Sequence, residues 1–131
     1  MPETGTVGAT LGPLHIRPIN SAAASKGSIH DDDKAREMGY RGGFVPGVTV
    51  LGYMTRLMAE TFGADFYAGS TFRGRLRRPV YEGADVTVDG TVVERIAEDG
   101  GERVTVELRV LTPEGDVAAI GSATCRVAAH G

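Results

Sequence analysis

The chain has 131 residues, 41% of them hydrophobic, enough for one domain with a real core and too short for two independent ones. Its formal net charge of −3 at pH 7 gives no general attraction to nucleic acid or to an anionic membrane, so any basic surface must be local. A single cysteine, Cys125, excludes an internal disulfide, offers no C-x-x-C metal pair and fits a reducing compartment.

No apolar run is long enough to span a bilayer, and the opening MPETGTVGATLGP has neither a basic region nor a hydrophobic segment, so a cytoplasmic protein is expected. Residues 6–19 are short of charge and broken by glycine and proline, which allows a short strand with an extended lead-in. Residues 20–27 (NSAAASKG) read as a loop or a brief helical turn. Asp31, Asp32 and Asp33 precede KAREMGY, where Asp32 can cap a short helix and Asp33 can face its positive end. The glycine-rich run 39–47 (GYRGGFVPG) allows unusual backbone angles and close approach to a ligand.

That run leads into the longest helical pattern in the chain. From Gly47, the residues Val50, Leu51, Met54, Leu57, Met58 and Phe62 recur at i, i+3, i+4, i+7, and write an apolar face of about four turns. Pro46 sets φ at the start and Gly63 stands where a helix commonly stops. From Ser70 onward the period changes to two. Phe72, Gly74 and Leu76 face one way and Thr71, Arg73, Arg75 and Arg77 the other, up to Pro79. Val86, Val88, Gly90 and Val92 continue, then Val104, Val106, Leu108 and Val110, then Val117, Ala119, Gly121, Ala123, Cys125 and Val127. Tight turns at residues 98–101 and 113–115 separate them, so four successive strands are expected to form an antiparallel meander with one dry face. Cys125 falls on that dry face as a small core residue. One meander around one helix leaves bare sheet edges, and pairing with a second copy would cover them, which predicts a homodimer.

Two features can carry chemistry, and both lie near the start of the long helix. One is His30. The other is the pair of amides at Gly47 and Val48, unpaired as in any first helical turn and able to hold an oxyanion developing on a thioester or other carbonyl. His15 and His130 are poorer candidates. Arg73, Arg75, Arg77 and Arg78 have two readings, a solvated sheet face or contacts to the phosphates of a coenzyme A or phosphopantetheine arm. Tyr40 and Tyr53 can line a pocket or, for Tyr53, half-fill the core.

The order SIHDDDKA, then GYRGGFVPGVT, then a helix, then RGRLRRPVYEGADV resembles the MaoC-like branch of the hot-dog fold, which includes (R)-specific enoyl-CoA hydratases. The likeness spans residues 25–88, and the later strands fit the same architecture. It implies one α+β hot-dog domain over residues 1–131, an antiparallel sheet wrapped around one long central helix. It implies a lyase of fatty acid metabolism, adding water to or removing it from an enoyl or 3-hydroxyacyl thioester. No cofactor is implied beyond coenzyme A or phosphopantetheine as the substrate carrier. The family signature D-x-N-P-(I/L)-H puts its histidine on His30 and its carbonyl-binding amide on Gly47, with Val48 beside it. Its aspartate falls on Ser25, its asparagine on Gly27 and its proline on Ser28. No Asp or Glu stands between Thr4 and Ile29 to restore the acid by a shift of register.

Asp and His together activate water in that family, and losing one partner typically removes on the order of 10²–10⁴-fold. The expected site is therefore His30 with Asp31 as a substitute acid, Gly47 and Val48 at the carbonyl, and Ser25, Tyr40, Tyr53, Arg75 and Arg77 as substrate contacts. Two alternatives stand beside it: a non-catalytic acyl-CoA-binding or structural dimer, and a thioesterase. The thioesterase reading suffers because the first turns of the helix hold no carboxylate and Glu60 lies three turns along.

Overall fold

The computed structural model describes residues 7–129; His130 lies outside them. The long apolar period becomes helix α2 (Gly47–Phe62), which buries Val50, Met54, Leu57, Met58 and Phe62 and ends at Gly63 with φ of 60°. Ahead of it is the short helix α1 (Asp32–Glu37), and after it α3 (Ala64–Ala68), which the sequence pattern does not announce. The N-cap of α1 is Asp31 rather than Asp32, and its side chain makes no capping bond. Asp32 lies in the first turn, where Oδ1 accepts the N–H of Gly43 at 2.8 Å.

One antiparallel sheet faces α2. Its strands are β1 (Thr10–Ile16), β2 (Ser70–Leu76), β3 (Val86–Glu98), β4 (Gly101–Leu111) and β5 (Val117–Ala128), in the spatial order β1-β3-β4-β5-β2. Only β3, β4 and β5 form the expected meander. β2 crosses to the far edge and pairs with β5, Ser70 opposite Cys125 and Leu76 opposite Ala119. The physical reason is the connection: residues 77–85 are too long for a two-residue hairpin, and they carry Val80 into the core, where its carbonyl accepts the Val45 N–H at 2.7 Å. β3 slips register between Val92 and Glu94, and leaves Val93 exposed.

The helix rests on a cross-strand glycine pair. Gly74 of β2 stands opposite Gly121 of β5. A Cβ on Gly121 would lie 3.0 Å from the Met54 sulfur and 2.9 Å from the Phe72 ring, and one on Gly74 would lie 2.6 Å from Leu51 Cδ2. Two missing side chains thus let the rod settle onto the sheet at van der Waals distance, with Met54 fully buried between them. Among the described residues no helix is long and apolar enough to cross a membrane.

Cys125 is fully buried in this core, and desolvation, with a smaller contribution from Asp65, pushes its thiol up to about 11. A thiol raised from 9.0 to about 11 holds roughly 100-fold less thiolate at neutral pH, so native alkylation should be at least that much slower than in denaturant. Because the folded thiol keeps its proton where the unfolded one has lost it, stability should decline as pH rises from about 9 to about 11; alkaline unfolding of Cys125→Ala beside the parent chain checks this.

Candidate functional site

The start of α2 keeps its donors free because of the residue that precedes it. Pro46 is the N-cap and has no side-chain acceptor to offer, and its carbonyl takes the Thr49 and Val50 N–H groups at 3.0 and 3.2 Å. The N–H groups of Gly47 and Val48 have no backbone acceptor among the described residues. A cleft of 210 Å³ opens beside Gly47, walled by Phe44, Val45, Val50, Leu76 and Val80, with Tyr40 and Pro79 alongside and Arg77 and Arg78 supplying charge. Leu76 crowds the Cα of Gly47 so closely that a Cβ there would collide with its Cδ1. The cavity therefore meets a helix terminus with its dipole and amides uncovered, the arrangement that holds an oxyanion. Val48 is 78% exposed and is no part of the wall.

His30 flanks this cleft through Phe44. Its Nδ1 lies 2.7 Å from the Phe44 carbonyl oxygen, and its ring meets the Phe44 ring edge-on at 5.7 Å. A carbonyl only accepts, so Nδ1 carries the proton, and in the neutral ring Nε2 holds the lone pair. The loop that carries it is held from several sides. The His30 N–H reaches Ser28 Oγ at 3.2 Å, and the His30 carbonyl accepts Nδ2 of Asn20 at 2.9 Å. Gly43 packs directly on that carbonyl, where any Cβ would overlap the His30 C=O. Phe44 in turn meets Tyr40 at 4.9 Å and Tyr81 at 6.5 Å, both edge-on, and the Arg41 guanidinium covers the Tyr81 ring at 4.4 Å.

The fold brings together Gly47, Tyr40 and Arg77 on the cleft, with His30 one residue behind its wall. It does not bring Asp31 to the imidazole. Asp31 is buried, but its Oδ1 lies 3.7 Å from Lys26 Nζ, and among the described residues no carboxylate is hydrogen-bonded to the His30 ring. Ser25 stands in an exposed turn, where its carbonyl accepts the Ser28 hydroxyl at 2.7 Å. Tyr53 packs half-buried against the core away from the cleft, and burial pushes its phenol up. Arg75 lies on a separate depression of 530 Å³, shared with Arg77, Arg78 and Val117. Glu60 is paired with Arg56 near the far end of α2 at 3.4 Å.

The arginines of the sheet and of the two positions after β2 divide into two sets, with Arg56 of α2 siding with the first. Arg56, Arg95, Arg103, Arg109 and Arg126 each meet a carboxylate, whereas Arg73, Arg75, Arg77 and Arg78 make no ion pair among the described residues. Sequence reasoning missed Asn20, which acts on His30 through the backbone, and Phe44, which acts through its carbonyl; neither role leaves a side-chain pattern. Among the described residues no group of three or more His, Cys, Asp or Glu could hold a metal ion.

No protein-family model and no curated protein matches this chain. Solved structures do. The (R)-hydratase from A. caviae involved in PHA biosynthesis matches at a TM-score of 0.74 and 22% identity, covering 96% of this chain and 99% of that one. The MaoC-like dehydratase from Rhodospirillum rubrum matches at 0.75 and 20%, covering 98% and 97%. The ChsH1-ChsH2 complex from Mycobacterium tuberculosis matches at 0.73 and 24%, covering 93% and 98%. The chain thus has the hot-dog fold of the MaoC-like dehydratases and (R)-hydratases, an antiparallel sheet against one long helix, as its motifs imply.

Gly43→Ala tests how the histidine is held. The added methyl would strike the His30 carbonyl, a backbone atom with nowhere to retreat, so the loop must move. The expected outcome is a loss of about 1–3 kcal/mol in denaturant unfolding and a broken His30–Phe44 hydrogen bond, read in a structure of the variant.

Proposed function

We propose that this chain is an acyl-thioester hydratase or dehydratase of the MaoC-like family, in which His30 moves the protons and the amide of Gly47, with Val48 beside it, holds the thioester oxygen. The observation that carries this reading is the pairing of an imidazole locked with its proton on Nδ1 and a cleft that begins at an uncapped helix terminus. The structural likeness to an (R)-hydratase and a MaoC-like dehydratase supports it.

In the hydration direction, Nε2 of His30 takes a proton from water as the oxygen adds to C3 of the enoyl thioester. The double-bond electrons pass to the carbonyl oxygen, and the N–H of Gly47 steadies the enolate. The imidazolium then returns its proton to C2, and water has been added across the double bond with nothing left over. Dehydration is the reverse. A single group serves as base and then as acid, because among the described residues no carboxylate meets His30; the Phe44 carbonyl supplies the orientation that an aspartate would otherwise give.

The carrier is coenzyme A or a phosphopantetheine arm, and Arg77 and Arg78, which make no ion pair among the described residues, with Arg75 on the adjoining depression, suit its phosphates. Tyr40 borders the acyl path. The assembly is a cytoplasmic homodimer, formed through the exposed edge at β2, where Leu76 is 46% exposed. A second reading, an acyl-CoA-binding dimer without turnover, is favoured by one observation, that among the described residues no carboxylate meets the imidazole.

Crotonyl-CoA separates the two. Hydration should be measurable and should fall on the order of 10²–10⁴-fold in His30→Ala. Turnover that survives this substitution overturns the mechanism, and tight acyl-CoA binding with no turnover in the parent chain selects the binding reading. Affinity for coenzyme A should also weaken as salt rises, and Arg77→Ala should flatten that dependence.

A further inference from the structure

We infer that Asn20 is a positioning residue for His30: its buried amide fixes the His30 peptide so that the ring proton stays on Nδ1, against Phe44, and Nε2 stays free. This rests on the reading of His30 as the proton-transfer group.

Asn20 is 7% exposed, and only it and Asp31 are buried polar residues among the described ones. Every part of it is used. Its N–H donates to Glu82 Oε2 at 2.7 Å, Oδ1 accepts the Ala22 N–H at 3.2 Å, and Nδ2 donates to the His30 carbonyl at 2.9 Å. The Oδ1 bond, with the Asn20 carbonyl accepting the Ala23 N–H at 3.2 Å, closes the turn after β1, the N–H bond ties that turn to Glu82, and an asparagine there would be satisfied without the third. The third ties the turn to the one peptide that bears the imidazole. Gly43 presses on that same carbonyl. The peptide is therefore fixed by a donor and by a steric stop, and two side-chain torsions then suffice to bring Nδ1 to Phe44. Asn20 is not among the residues that line the cleft, and the side-chain contact that leads toward the site is the one to His30.

An imidazole released from this acceptor would distribute its proton over both nitrogens, and the lone pair would spend less time on Nε2. Nitrogen-15 NMR of neutral His30, assigned by the resonances lost in His30→Gln, reads this directly. In the parent chain the proton should reside on Nδ1. In Asn20→Ala the Nδ1–H share should fall roughly twofold or more. Should that variant fail to fold, Asn20→Ser keeps a hydroxyl for the Ala22 N–H while being too short for the His30 carbonyl, and should give the same shift. Val110→Ala, a core truncation on β4, should lower stability and leave the tautomer as it was.

With crotonyl-CoA, kcat of the folded Asn20 variant should drop on the order of tenfold while KM moves less than about twofold. A folded variant with the parent tautomer, or one with the shifted tautomer and the parent kcat, overturns the assignment. If the parent chain hydrates nothing, the catalytic reading fails, and the tautomer measurement still decides whether Asn20 sets the ring.

Discussion

The contact on which the rest depends is the seat of α2 on Gly74 and Gly121. Where two facing strands both lack a side chain, a helix can approach the sheet without displacing a neighbour, and Met54 and Leu51 fill the space. That approach fixes the height and direction of the rod. Its first turn then emerges beside the exit of β2, with Leu76 packed on Gly47, so the amides at its tip border a cavity instead of a wall. The position of the Gly47 and Val48 amides is thus a consequence of core packing some two turns away.

Much of this could be read from the residues. The 3.6-residue period from Val50 to Phe62 and the two-residue periods of β3, β4 and β5 are direct records of which face is dry, and they recur as buried positions. The glycine-rich approach and Pro46 likewise mark a helix start with free donors. The place of β2 was less legible: alternation tells which face a strand buries and says nothing of which neighbour it takes, and the choice of β5 over β3 is made by the long connection through Val80. α3 is too short for a period to show.

The surroundings of His30 were the least visible part. Neighbourhood in sequence suggested Asp31, yet a helix N-cap turns its side chain by the geometry of the turn, and here it goes toward Lys26. The groups that do hold the ring are a backbone carbonyl, a glycine Cα and an asparagine ten residues upstream. Main-chain partners carry no residue-type signature, and Asn20 looks like any turn asparagine until its amide is followed to the peptide it meets. Ser25 shows the converse: a position matched by motif register lies in an open turn once the chain is folded.

The strand order has a bearing on how firmly the site is held. β3, β4 and β5 are neighbours in sequence and zip together through short turns, but both outer strands close over long stretches of chain, Thr10 meeting Thr91 and Ser70 meeting Cys125. Loop closure of that span is the entropically dear and late step in assembling such a sheet, and outer strands are the first to fray. Asn20 follows one of these margins, and Arg77 and Leu76 end the other. The candidate site hangs from the periphery while the meander carries the durability, so partial melting can disassemble the site in a molecule whose interior is still intact.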